Sequence, residues 1–475
     1  MKLAALTTGI LLLSGCTVGP DFTPPTVNSP QGWPQGHAAG RIVERGLQPQ
    51  WWQIFHDDTL TALVEQSARS NLDLQAAEAR LLQAQAEHQV VTGESLPSID
   101  ATASFQHARN SQNGLQDISG LGGKKAWSVW QPGIGAAWEL DMWGRLRRQK
   151  ESSAARVEAS DDQRRAVLLT VQAATVSDYV QLRSVQLQRD ISLQNLDIAR
   201  HSLKLTGIRL ADGVATQLEV AQARAQVASV ESTLPMLEQQ QAHLMNSLSF
   251  LLGENPGALT ERLAGSRPLP LTPPEVPVGL PSELAQRRPD IRAAEAQLHA
   301  ATADVGVATA DFYPSITLTG NIGLQAMQFS QLGNWGSRLY SVGPSLTLPI
   351  FEGGRLRGQL ALKKARQQEA AIHFQRTVLK AWHEVNDAMV DYDTYQRQRS
   401  QLATLVENDR IALAAASKQY EAGATDFLNV LTMQKELLAS QQALVKSDAD
   451  VSLALVRLYQ ALGGGWENGI AGNQR

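Results

Sequence analysis

Few residues in this chain are placed to carry chemistry, and their spacing argues against catalysis. His56, His88, His107, His201, His243, His299, His373 and His383 are scattered, with no HExxH pair and no Cys/His cluster able to hold a metal. Asp57-Asp58 and Asp161-Asp162 read as helix caps or surface charges rather than an acid–base pair. Gly122-Gly123 and Gly463-Gly464-Gly465 lack phosphate-loop spacing. No catalytic residue, metal site or cofactor is therefore expected, and the chain does not read as an enzyme. One residue does invite chemistry: Cys16, the only cysteine. Lys2, a short apolar run to Leu13 and the small residues Ser14-Gly15 precede it, in the order of a signal peptide. Leu13-Ser14-Gly15-Cys16 has the form of a lipobox. Cleavage before Cys16 would leave its thiol to carry diacylglycerol and its amine an acyl chain. Several acyl chains anchor stably where one does not. Thr17 follows, where an Asp would look like an inner-membrane retention signal. Without a second cysteine there is no disulfide within the chain, although the compartment that such a signal implies would be oxidising.

The other informative stretch is Arg209 to Val220, RLADGVATQLEV. Long Pro-poor runs of Ala, Gln and Leu lead into and out of it. Gly213 breaks helical continuity and Thr216 is placed to cap the next helix, so the stretch predicts the tight tip of a long helical hairpin. It recurs as Gln419 to Val430, where Gly423, Leu428 and Val430 match Gly213, Leu218 and Val220 at an offset of 210. The repeat extends much further. AAEA at 76–79 and PSI at 97–99 recur at 293–296 and 314–316, an offset of 217; GRLR at 144–147 recurs at 354–357, an offset of 210. The second copy is thus seven residues shorter between its strands, where a loop absorbs the difference.

The positioning elements follow from the periodicity. Asp57 or Asp58 caps a helix over Leu60, Leu63 and Val64. A second helix carries Leu72, Leu74, Ala77, Leu81, Ala84 and Val91 and ends at Pro97. Period two then takes over: Ile99, Ala101, Ala103 and Phe105 alternate with Ser98, Asp100, Thr102 and Ser104. Trp130, Ile134, Ala136, Trp138 and Leu140 alternate with Gln131, Gly133, Gly135 and Glu139. Pro132 lacks an N–H, so this strand is expected to begin near it. Gly144-Arg145-Leu146-Arg147 opens a helix reaching about Leu210, roughly 100 Å at about 1.5 Å per residue. The return helix carries a coiled-coil-like seam of Leu234, Leu237, Leu244, Leu248 and Leu251, with Pro235 expected to kink it.

These elements predict six segments. They are a signal peptide (1–15), an extended N-terminal arm with the lipid anchor (16–56), a first repeat (57–265), a linker (266–281), a second repeat (282–466) and a C-terminal tail (467–475). The first repeat has strands at about 98–108 and 130–142 and a tip near 213; the second has strands at about 315–325 and 340–351 and a tip near 423. A net charge of −4 argues against nucleic acid as a partner. No apolar run reaches the roughly 18–20 residues of a spanning helix. Each strand has one apolar face and one face of Ser, Thr, Asn and Gly, which suits lipid outside and water inside. Four strands cannot close a barrel, but three chains supply 12, enough for an open lumen. A soluble sandwich under a helical layer is the alternative, and a non-pore lipid-anchored coiled-coil scaffold is another.

Gly19-Pro20-Asp21-Phe22-Thr23-Pro24-Pro25 after Cys16 resembles the N-terminal CxxGPDxxxP pattern of outer-membrane efflux lipoproteins of the TolC/OprM/NodT type. Trp51-Trp52-Gln53-Ile54-Phe55, Arg288-Pro289-Asp290-Ile291, Tyr313-Pro314-Ser315-Ile316 and Leu348-Pro349-Ile350-Phe351-Glu352-Gly353-Gly354-Arg355 resemble that family too. The resemblance covers Cys16 to about Gly465. It implies a mainly α chain with a transmembrane β-barrel: a homotrimer whose 12-stranded outer-membrane barrel continues into a 12-helix periplasmic α-barrel, with two tandem repeats per chain. It implies a passive exit duct for drugs or other small molecules, working with a periplasmic adaptor and an inner-membrane pump of the RND type, in contact with outer-membrane lipid. Type I protein secretion is the rival cargo. By the same resemblance, Gly213, Val214, Ala215, Thr216, Gly423, Ala424 and Thr425 would face the adaptor. Arg209, Asp212, Glu219, Tyr420, Asp426, Asn429 and Thr432 would line the periplasmic aperture. Family members often carry acidic residues six and nine positions after the second tip glycine. Asn429 and Thr432 stand there in this chain, and Glu219 is the acidic counterpart in the first repeat. Replacing Cys16 by Ser should abolish acylation; unchanged palmitate labelling of the C16S chain would refute the assignment.

Overall fold

The computed structural model describes residues 17–26, 42–43, 50–109, 111, 126–270, 276–277 and 284–466. Cys16, nearly all of the stretch between the first two expected strands and the tail after Trp466 lie outside them. The described elements are helices α1 (Asp58–Ser70) and α2 (Leu72–Glu94), strands β1 (Ser98–Arg109) and β2 (Ala126–Leu140), and helices α3 (Arg145–Ala211) and α4 (Gln217–Leu251). After a two-residue parallel pairing of Ile42–Val43 with Val276–Pro277 come α5 (Pro289–Ala310), β3 (Ser315–Leu324), β4 (Arg338–Thr347), α6 (Arg355–Glu421) and α7 (Phe427–Ala461). The duplication is visible in the backbone: α3 and α6 each have 67 residues, and α4 and α7 each have 35. Asp57 is the N-cap of α1, its carboxylate accepting from the Leu60 N–H at 3.0 Å. Pro235 lies inside the helical span of the return helix α4 and does not end it. No described helix is long and apolar enough to cross a membrane.

Contacts divide the chain into two compact units, Met1–Pro25 with Leu81–Ser160 and Ala294–Phe374, and Thr26–Arg80 with Asp161–Ala293 and Gln375–Arg475. The first unit holds the antiparallel sheet β1-β2-β3-β4. Its register sets Ile99 opposite Ala136, Ile134 opposite Ile322, Trp138 opposite Leu318 and Ile322 opposite Tyr340. Because side chains alternate along a strand, the apolar residues share one face across all four strands. That face stays exposed in the single chain: Ile99 at 73%, Ile322 at 63% and Tyr340 at 82%. Ser98, Thr102, Thr317, Thr319, Asn321 and Ser345 take the opposite face.

Two strand limits differ from expectation. β2 begins at Ala126 and runs through Pro132, which pairs with Ala103 of β1. Toward β3 the ladder lapses at the proline. Trp130 and Ala326 exchange both backbone bonds, at 2.9 and 3.0 Å, and pairing resumes at Gly133 with Gly323. The next bonded pair would need the N–H that proline lacks. At the other edge β4 stops at Thr347, so Leu348 and the 92%-exposed Ile350 lie beyond it.

Within the same unit the N-terminal arm is bound tightly. The Val18 N–H donates to the Trp143 carbonyl at 3.1 Å. Phe22 stacks on His299 at 4.3 Å, and the buried Arg148 guanidinium bridges Asp21 and Glu151. Gly19 lies so close to Gly306 that a Cβ on it would meet the Gly306 Cα at 2.5 Å, which only glycine permits. Asp304 on α5 draws the helices together by accepting from Ser152 at 2.6 Å, Lys363 at 2.7 Å and Arg156 at 3.0 Å.

The second unit contains the main apolar core. Trp51 is fully buried and stacks on Tyr459 at 5.4 Å, among Leu60, Leu63, Tyr179, Leu248, Tyr392 and Leu455. Burial pushes the Tyr459 phenol up to about 12, so it stays neutral. Trp466 is held between Arg165 and Arg292, both paired with Asp162.

Burial pushes the Asp304 carboxyl up, but its bonds from Lys363 and Ser152 and the field of Arg156 outweigh this and hold it below the usual carboxylate range. A depressed folded-state pKa means stability that is present above the ordinary carboxylate range and lost as pH falls through the lowered value. Asp304→Asn should therefore lower stability at neutral pH by about 2 kcal/mol. In melting curves the gap to the parent protein should close on acidification; a gap independent of pH would refute the ion-pair account.

Candidate functional site

The two hairpin tips lie in the second unit, and their shape follows from their glycines. α3 ends in a left-handed turn at Gly213 (φ 74°) and α6 in the same turn at Gly423 (φ 74°). In each, the N–H after the glycine bonds back five residues: Val214 to the Arg209 carbonyl and Ala424 to the Gln419 carbonyl, both at 2.8 Å. The glycine N–H bonds back three, to Leu210 and Tyr420, both at 3.0 Å. This pair of bonds satisfies carbonyls that a helix end leaves orphaned.

The return helices start differently. Thr216 caps α4 in a reciprocal box: its hydroxyl accepts from the Glu219 N–H at 3.3 Å, and the Glu219 carboxylate accepts from the Thr216 N–H at 3.1 Å. In the second tip Asp426 caps α7, accepting from the Asn429 N–H at 3.1 Å, and the Asn429 amide donates to the Thr425 hydroxyl at 2.6 Å. Thr432 donates to the Leu428 carbonyl of its own helix at 2.8 Å. Glu219 and Asp426, expected at the aperture, thus already serve as helix-starting groups.

The tips are joined by one cation and a small core. The Arg209 Nη1 donates to the Tyr420 carbonyl at 2.7 Å, and the guanidinium lies 4.4 Å over the Tyr420 ring. Tyr420 in turn packs on Phe427, with Ala223, Val430 and Leu431 buried around them. The buried Tyr420 hydroxyl has no hydrogen-bond partner among the described residues. Asp212 and Glu421 are exposed and form no ion pair among those residues. Of the expected adaptor-facing residues, Gly213, Val214, Thr216, Gly423 and Ala424 are exposed, Thr425 is half-buried and Ala215 is buried. Sequence reasoning gave no site role to three residues: the anchor Phe427, and the exposed Leu218 and Leu428, which it used only to align the two tips. The capping role of Glu219 was legible as the Thr-x-x-Glu spacing of residues 216–219.

Glu219→Gln keeps an acceptor for the Thr216 N–H, whereas Glu219→Ala removes it. Only the Ala variant should destabilise the first turn of α4, by about 1 kcal/mol. Amide hydrogen exchange over residues 216–220 reads this; equal protection in both variants would show that the box contributes nothing.

The family model described as outer membrane efflux protein matches residues 63–254 and 280–464. The chain is 35% identical to the pyoverdine export outer membrane protein OpmQ of Pseudomonas aeruginosa, over 100% of this chain and 99% of that protein. It is 31% identical to the toluene efflux pump outer membrane protein TtgI of Pseudomonas putida, over 96% and 97%. The solved outer-membrane channel OprN matches with a TM-score of 0.89 at 36% identity, over 95% of this chain and 100% of that one. Such channels are homotrimers with a helical barrel and a β-barrel, and the open edges of the four-stranded sheet are what a trimer closes. The chain belongs to the outer membrane efflux protein family, as the outer-membrane channel, extending into the periplasm, of an efflux pump that includes an adaptor and an inner-membrane pump.

Proposed function

We propose that this chain forms a passive exit duct for small molecules whose periplasmic mouth is held shut at the hairpin tips until an adaptor docks there. The link between Arg209 and Tyr420 carries this reading. It ties the end of α3 to the end of α6 beside exposed Val214, Leu218 and Leu428, which offer an apolar docking surface. One such cation–π and hydrogen-bond contact is worth about 0.5–2 kcal/mol. Three symmetric copies place the closed mouth a few kcal/mol below the open one, a gap that adaptor contact on Val214, Leu218, Leu428 and Ala424 can reverse. The two tips are charged differently: the first carries Arg209, Asp212 and Glu219, and the second carries Glu421 and Asp426 with Asn429 in the place of Glu219.

Motive force comes from the inner-membrane partner, since the chain has no nucleotide motif of its own; the lipobox and GPDF arm, by resemblance, favour a pump of the RND type. Pyoverdine and toluene, named for two relatives, are chemically unlike, which fits a duct that leaves substrate choice to the pump. Cys16 would carry the acyl anchor at the head of the arm held by Arg148 and His299.

Isolated trimers in planar bilayers should show small, flickering conductance, and Arg209→Ala should raise it several-fold. Large, steady conductance in the unaltered trimer would overturn the closed resting mouth.

A further inference from the structure

The outer rim of the sheet carries charge on the face where none is expected. Strand ends Ser98, Leu140, Ser315 and Thr347 adjoin the helices, so Arg109, Ala126, Leu324 and Arg338 mark the far ends. In a periplasm-facing helical chain those far ends reach the outer leaflet. Along β1 the lipid-facing side chains are Ile99, Ala101, Ala103 and Phe105, and the same parity continues to His107 and Arg109. Along β4 it gives Leu346, Val342, Tyr340 and then Arg338. Both arginines therefore end the greasy face rather than the lumenal one. Neither forms a salt bridge among the described residues, and no carboxylate lies in residues 105–109, 126–132 or 322–342. The Arg338 guanidinium carbon lies 3.5 Å from the centre of the Trp335 ring, which holds it at the rim; the His107 ring is fixed by the Ser128 hydroxyl at 2.9 Å.

The sheet order makes these residues neighbours. β1 and β4 are its two edges, so closing three chains into one barrel sets β4 of one protomer beside β1 of the next. We infer that Arg338, with Arg109 and His107 of the partner subunit, forms a phosphate-binding site at each protomer seam, taking the phosphorylated headgroup of an outer-leaflet glycolipid. A guanidinium pairs bidentately with phosphate, and the exposed Phe105, Tyr340 and Trp335 beside it suit the acyl chains and sugar of the same molecule. An unpaired cation facing lipid is costly unless an anion meets it there. A phosphate at the seam would also clasp two protomers at the rim where the sheet edges meet.

The inference rests on the trimeric barrel, and its test reads the trimer separately. Trimers, checked as a heat-modifiable band, are reconstituted in phosphatidylcholine vesicles containing bisphosphorylated or dephosphorylated lipid A. Lipid retained per trimer after detergent extraction is then measured by mass spectrometry. The unaltered protein should retain the bisphosphorylated form preferentially. R109Q/R338Q should lose about tenfold of that retention, while R109K/R338K, which keeps point charges, should lose less. Equal retention of both lipids by the unaltered trimer, or undiminished retention by R109Q/R338Q, overturns the site. Displacement by millimolar inorganic phosphate alone overturns the assignment to a lipid. If R109Q/R338Q fails to trimerise, the two-lipid comparison on the unaltered trimer still decides. Failure of the unaltered chain to trimerise would overturn the channel and, with it, the seam site, whereas a trimer that does not discriminate the two lipids overturns the site alone.

Discussion

A sheet with two open edges and an apolar outer face is the constraint on which the rest depends. Lipid offers no hydrogen bonds, so the unpaired N–H and C=O groups along β1 and β4 have to find partners. Four strands are too few to close on themselves, and only copies of the same chain present matching edges. Trimerisation is therefore a condition for the sheet to exist in a membrane rather than an addition to a folded monomer. The exposure of Ile99, Ile322 and Tyr340 in the single chain has the same origin: these side chains are covered by lipid, not protein.

Duplication supplies two strands and one hairpin per repeat, but the copies have drifted where their surroundings differ. The glycine turns at Gly213 and Gly423 are alike to the degree, because a helix must end there and only glycine takes the left-handed conformation cheaply. Around them the residues diverge. Thr216 and Glu219 start one return helix and Asp426 with Asn429 the other, while Arg209 has Gln419 as its counterpart. The single cation on the first tip is what ties the tips together, so the asymmetry is itself the link between hairpins. Charged groups that a sequence motif assigns to an aperture can equally be consumed by helix caps, and in this chain Glu219 and Asp426 are.

Buried charge elsewhere serves position. Asp304 and Arg148 each gather partners from elements distant in sequence, and Asp162 fixes two arginines against Trp466. Long helices packed through Ala, Ser and Gln gain little from large apolar side chains, so specific ion pairs and backbone approaches such as Gly19 on Gly306 set their register.

The sequence by itself determined the duplication, the hairpin tips, the helix starts at Asp57 and Thr216, and the strands with their two faces. These are local or periodic: a cap needs three residues, a strand face needs alternation, and a repeat needs only matching text. Tertiary structure decided what depends on residues far apart in the chain. The passage of β2 through Pro132 became possible because the lost bond falls on the β3 side alone, while Ala103 on β1 pairs normally. The joining of Arg209 to Tyr420 and the anchoring role of Phe427 each require two hairpins brought side by side. Pattern within one helix holds no record of which neighbour it will meet, because that choice is made by packing across some 200 residues of intervening chain.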